Sequence, residues 1–139
     1  MFKATKEIAT YLEAKGIKYT VEENDKISYV EVKYSCDNAP SITVTFFSGD
    51  DDNDVSARVV RLVRGVPENK TAAVLKVINE LHRRFRYAKF VLDKDNDVNM
   101  EYDLPLRTAD VGAAAKEICS RLVDIGDKAY PDLMKAIWS

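Results

Sequence analysis

The stretch ISYVEVKYSCDNAPSITVTFFS, residues 27–48, decides the fold. Over 27–35, Val30, Val32 and Tyr34 alternate with Tyr29, Glu31 and Lys33, which is the period of a half-buried strand. Asp37-Asn38-Ala39-Pro40 then breaks the run with turn-forming residues. Over 41–48, Ile42, Val44 and Phe46 oppose Thr43, Thr45 and Phe47. Two alternating segments joined this tightly form an antiparallel hairpin, and their polar alternate residues leave one sheet face in water.

Working outward, Ala4, Ile8, Tyr11 and Leu12 share one stripe at helical spacing, and Gly16 follows as a stop. The spacing predicts a helix over 3–15. Ile17, Tyr19 and Val21 return to strand period, and Asn24-Asp25 supplies a turn. Beyond the opening hairpin, the acidic turn 49–54 leads into a strand over 55–64 whose alternation changes phase. Val55, Ala57 and Val59 share a face, and then Val60 and Leu62 take over. A bulge re-aims side chains in this way, and so does burial on both faces.

After Pro67, a favoured first residue of a helix, Val74, Ile78, Leu81 and Phe85 fall at spacings of four, three and four. This predicts an amphipathic helix to about Arg84. A hairpin of 88–92 and 98–104 follows. The last helix begins near Thr108 and is expected to be interrupted by Gly126 and Pro131, with a short helical tail holding Leu133, Ile137 and Trp138. The order is α-β-β-β-β-α-β-β-α. The fold class is α+β, a two-layer sandwich of an antiparallel sheet with helices on one face.

Composition bounds the function classes. The 139 residues, 46% hydrophobic and 32% charged, correspond to one globular domain over 1–139. With 21 basic and 23 acidic residues the net charge is −2, which supplies no strong field for nucleic acid or anionic lipid. The N-terminal stretch carries charges throughout, unlike a signal peptide. Cys36 and Cys119 stand in unrelated contexts. A cytoplasmic protein with reduced, passive thiols is expected.

The chemical candidates are few. In VLDKDNDVNMEYDLP, residues 91–105, Asp93, Asp95 and Asp97 stand two apart, as at the start of a calcium-binding EF-hand loop. Such a loop needs Gly at its sixth position and Glu at its twelfth, where this chain has Val98 and Leu104. Asp95-Asn96-Asp97 therefore reads as a hairpin turn. His82 is the sole histidine, which excludes a multi-histidine metal site, and no nucleophile context accompanies it. Arg58, Arg61, Arg64, Arg83, Arg84 and Arg86 form the one basic concentration, read as solvated surface because no stacking aromatics are interleaved with them. No cofactor, catalytic residue or metal ligand is assigned.

The segment from Pro67 to Pro105 resembles the YbjN family of bacterial proteins, labelled sensory transduction regulators. The resemblance lies in the entry Val66-Pro67, the helix end Val77-Ile78-Asn79-Glu80-Leu81-His82, the strand Lys89-Phe90-Val91-Leu92-Asp93 and the return strand ending Tyr102-Asp103-Leu104-Pro105. The family commonly carries Asn-x-x-Asn where this chain has Asn79-x-x-His82, and Gly where this hairpin has Asn96-Asp97. The resemblance implies a fold similar to type III secretion chaperones, which dimerise and bind extended segments of other proteins. No catalytic residues are implied.

The expected function is thus a non-enzymatic protein-binding module, a chaperone-like or regulatory adaptor, with another protein or a second copy as partner. Candidate contacts are Tyr29, Phe47 and Val91 on the open sheet face, with Asn79 and His82 at the helix border. The alternative is a small-ligand or cation sensor in which the acidic loops 50–54 and 93–97 meet at one end of the sheet.

Overall fold

The computed structural model describes residues 2–49, 53–106 and 110–139. The elements are α1 (Lys3–Ala14), β1 (Thr20–Glu23), β2 (Ser28–Ser35), β3 (Ser41–Ser48), β4 (Asp54–Val63), a short 3-10 turn (Glu68–Lys70), α2 (Thr71–Arg84), β5 (Lys89–Leu92), β6 (Val98–Pro105) and α3 (Val111–Trp138). The six strands form one sheet in the order β1-β2-β3-β4-β6-β5, and every neighbouring pair is antiparallel. The three helices cover one face, with α3 packed between α1 and α2. This is the two-layer α+β sandwich that the alternation predicts.

The predicted stop at Gly16 works as expected. At the end of α1, Gly16 takes φ +68°, so the Ile17 N–H reaches the Leu12 carbonyl at 2.9 Å and the Gly16 N–H reaches Glu13 at 3.1 Å. Those two bonds are a Schellman cap, which favours glycine because a side chain strains the left-handed backbone. The phase change in β4 is a bulge: Val59 pairs with Met100, but the next pair is Val63 with Val98. Arg61 sits inside it at φ +56°, its N–H donating to Asn99 Oδ1 at 2.7 Å. The bulge turns Leu62 and Val63 into the core while Val60 stays half exposed.

One expectation is corrected. Gly126 and Pro131 do not interrupt the last helix, which runs unbroken for 28 residues from Val111 to Trp138. Ile125, Ala129, Leu133 and Ile137 bury one stripe across both positions. That burial outweighs the missing Pro131 N–H and the low helix propensity of Gly126. Thr108, the expected start, lies outside the described residues; the helix is capped by Asp110, whose Oδ1 accepts from the Ala113 N–H at 3.1 Å. Trp138 stays exposed at the far end.

The core lies between the layers. Val30, Val32, Ile42, Val44, Phe46, Val55, Ala57 and Met100 point down from the sheet to meet Ile8, Leu12, Leu81, Leu122 and Leu133 from the helices. Backbone close approach is built in at Gly112, where a Cβ would stand 2.5 Å from Tyr11 Cβ. From the helical layer, Asp127 pins the β2–β3 turn, its Oδ1 accepting from Asn38 N–H at 2.7 Å and from Ala39 N–H at 2.8 Å.

Candidate partner-binding surface

The sheet face opposite the helices is crossed by one row of residues that runs through all six strands. The register aligns Thr20, Glu31, Thr45, Arg58, Glu101 and Lys89. Thr45 Oγ1 donates to Glu31 at 3.4 Å, Lys89 Nζ lies 3.3 Å from Glu101, and Arg58 Nη1 lies 2.7 Å from Asp103. These cross-strand pairs satisfy one another, so the row is a polar belt with no unbalanced charge. Arg58 is thereby accounted for, as is Arg84 through its ion pair to Asp132 at 3.0 Å. Two of the six arginines in the basic concentration are thus paired surface.

On one side of the belt Tyr29 and Phe47 stand directly opposite each other, ring centroids 5.3 Å apart and tilted by 50°. Both are half-buried, and their cross-strand neighbours are Glu22 and Ser56. Val91 shares the face but lies on the other side of the belt, on β5 opposite Asn99. The three residues are therefore a pair and a singleton, because register, which alternation alone does not fix, separates them.

The remaining two candidates sit in the helical layer. Asn79 is exposed on α2. Three residues on, His82 Nε2 accepts from the Phe90 N–H at 2.8 Å. His82 is thus a tie between the end of α2 and strand β5, with its ring 6.0 Å from that of Phe90.

The turn in VLDKDNDVNMEYDLP is built from its own carboxylates. Asp93 Oδ1 accepts from the N–H groups of Asp95 at 2.9 Å and Asp97 at 3.0 Å, Asp93 Oδ2 accepts from Asn99 at 2.8 Å, and Asn96 takes φ +62°. Asp97 Oδ1 accepts from the Gly65 N–H at 2.9 Å. The Asp97 N–H and the other donors facing Asp93 hold its carboxyl below the usual carboxylate range. Two of the three aspartates are spent on the chain itself.

The joint cation site is overturned by topology. Residues 50–52 lie outside the described residues, but Asn53 and Asp54 sit beside Leu106 and Pro105 at the C-terminal end of β6. The 93–97 turn sits at the opposite, N-terminal end of β6. Ten-residue β4 separates them, a distance of about 30 Å at ~3.3 Å per residue. Asp54, the described carboxylate of the first loop, and the 93–97 turn cannot share an ion.

Neither cysteine is poised to react. Burial pushes the Cys119 thiol up to about 12, and the neighbouring Tyr34 phenol likewise. Burial, reinforced by the nearby Asp127 charge, raises Cys36 as well. Sequence reasoning missed one feature: a cavity of about 180 Å³ floored by Leu104, Ile118 and Leu122, with Tyr87 and Arg121 at its mouth. The Arg121 guanidinium lies 4.7 Å over the Tyr87 ring, and Tyr87 takes φ +73°. No periodicity announces such a cavity, since it is formed between side chains of β6 and α3 only once the two elements pack.

Residues 5–132 match the YbjN family, whose description is "Putative bacterial sensory transduction regulator". No curated protein matches the chain. Among solved structures, a chain of the heterodimeric complex ExoU-SpcU from the type III secretion system of Pseudomonas aeruginosa is similar in fold. Its TM-score is 0.54 at 15% identity, covering 94% of this chain and 97% of that one. The fold is thus shared with a chain of that secretion complex. With the family match spanning nearly every element of the sandwich, this chain belongs to the YbjN family.

Proposed function

We propose that this protein is a non-enzymatic adaptor of the bacterial cytoplasm that holds another protein. The observation that carries the reading is the Tyr29–Phe47 pair on a sheet face that none of the described helices covers. A pair of adjacent aromatics offers a rigid contact at low entropic cost, and the belt beside it supplies a polar rim. Family membership and the fold shared with a chain of a heterodimeric secretion complex support the same direction by analogy.

The test is affinity capture of the tagged protein from its own cytoplasm, run in parallel with Phe47→Asp. A stoichiometric partner present with the wild-type protein and absent from a folded variant supports the reading. A partner retained equally by both removes the aromatic pair from the interface, and no partner at any salt concentration removes the adaptor.

A further inference from the structure

The sheet has two edges, and they are not equivalent. On the β5 side, the Phe90 N–H is already taken by His82 Nε2 at 2.8 Å. An incoming strand would have to displace that bond. On the β1 side the situation is different. β2 pairs with β3 along all eight of its residues, but β1 pairs only with Ser28–Glu31. Val32, Lys33, Tyr34 and Ser35 therefore carry a strand on one side only.

Residues of an antiparallel strand direct their N–H and C=O alternately to its two sides. Two of these four residues thus present donors and acceptors to a side with no strand. That side opens on a concavity of about 1020 Å³, walled by residues 16–20 where the chain diverges from β2. The free run is about 13 Å long at ~3.3 Å per residue, enough for four residues of an added strand. Backbone groups at such an edge are a template for strand addition.

We propose that the Val32–Ser35 half of the β2 edge takes up an extended segment of a partner protein as an added strand. The proposal rests on the protein-binding reading and gives it a second, distinct contact. The walls set the partner's chemistry. Ile17 and Tyr19 are half-buried and offer apolar contact, while Glu13, Lys18, Glu31 and Lys33 balance one another in charge. The segment that fits alternates apolar residues with polar ones of mixed or no charge, with no proline at the pairing positions.

The probe is a random twelve-residue peptide display library selected on the immobilised intact protein. Selected peptides are then examined by amide hydrogen exchange and by cross-strand nuclear Overhauser contacts. The expected result is slowed exchange within 32–35 and contacts between peptide backbone and β2. N-methylation of one alternate set of peptide positions should weaken binding by about tenfold per lost hydrogen bond, and methylation of the other set should be tolerated.

Peptides that bind but leave 32–35 unchanged overturn this placement and leave the adaptor reading standing. A library that yields no binder overturns strand addition. Concentration-dependent protection of 32–35 without peptide, together with dimers in sedimentation, assigns the edge to a second copy and overturns the proposal too.

Discussion

Moving a single methyl group tests how the helical layer is assembled. Gly112 and Gly126 both lie buried on α3, and replacing either by Ala adds one carbon. Ala also gains helix propensity over Gly, up to about 1 kcal/mol in a helix interior and less near an end. The surroundings differ. At Gly112 the new carbon would stand 2.5 Å from Tyr11 Cβ and 2.8 Å from Tyr11 Cγ. Carbon contacts want about 3.5–4.0 Å, and Tyr11 Cβ is fixed to the α1 backbone, so α1 itself must shift by about 1 Å. Overpacking of this kind costs about 1–3 kcal/mol. The net expectation for Gly112→Ala is a loss of about 1–2 kcal/mol, or a fall of roughly 3–6 °C in Tm for a chain of this size.

At Gly126 the nearest atoms are Ile42 Cδ1 and Met100 Sδ, each at 3.0 Å. Both are ends of flexible side chains that can give by a few tenths of an ångström, so Gly126→Ala should change stability by less than about 0.5 kcal/mol. Thermal and urea unfolding of the two variants supply the comparison. Tyr11→Ala should rescue Gly112→Ala only in part, because its Cβ remains, whereas Tyr11→Gly should show favourable coupling with Gly112→Ala in a double-mutant cycle. Equal Tm values for the two alanine variants would refute the reasoning, since the α1–α3 spacing would then not be set at Gly112.

Other expectations follow from the same contacts. The N–H groups of residues 37–39 lower the Asp127 carboxyl below its ordinary value, so its contribution is fully present above about pH 3.9 and is lost as pH falls through the depressed folded value. The Tm gap between wild type and Asp127→Asn should therefore be open at pH 6 and close in strong acid; a constant gap would refute the assignment. Phe46→Ala, at the sheet centre, should cost about 3–5 kcal/mol in urea unfolding. Removing the acceptor with His82→Ala should cost about 1 kcal/mol and speed exchange of the Phe90 amide, with distant amides unchanged. A thiol reagent at pH 8 should label Cys36 slowly and Cys119 only in denaturant; two fast thiols would contradict their burial.

Much of this fold is legible in the chain because local signals agree. The alternation of 27–48 gives the central hairpin, Gly16 stops α1, and the phase slip at Val59–Val60 marks the bulge. Pro131 misleads, because its local penalty is visible in sequence while the burial that offsets it depends on the whole sheet beneath α3. The candidate surface is harder to read. Alternation places Tyr29, Phe47 and Val91 on one face, but only register tells that a polar belt divides them. The cation alternative fails for the same reason, since two acidic hairpin tips look alike in sequence whichever end of the sheet they occupy.

Pairing only half of β2 with β1 is a geometric fact, but the 28 residues of α3 have a consequence in time. During synthesis every strand leaves the ribosome before α3 does. Until then α1 and α2 flank an uncovered strip of β3, β4 and β6, with Ile42, Phe46, Val55 and Met100 open to water. At about 5–20 residues per second, completing a helix of this length takes seconds, long against the microseconds in which hydrophobic chains collapse. The nascent sheet thus spends its first moments as a sticky surface awaiting α3, and an amber truncation before Leu122, which removes the buried stripe through Ile137, should yield inclusion bodies or degradation.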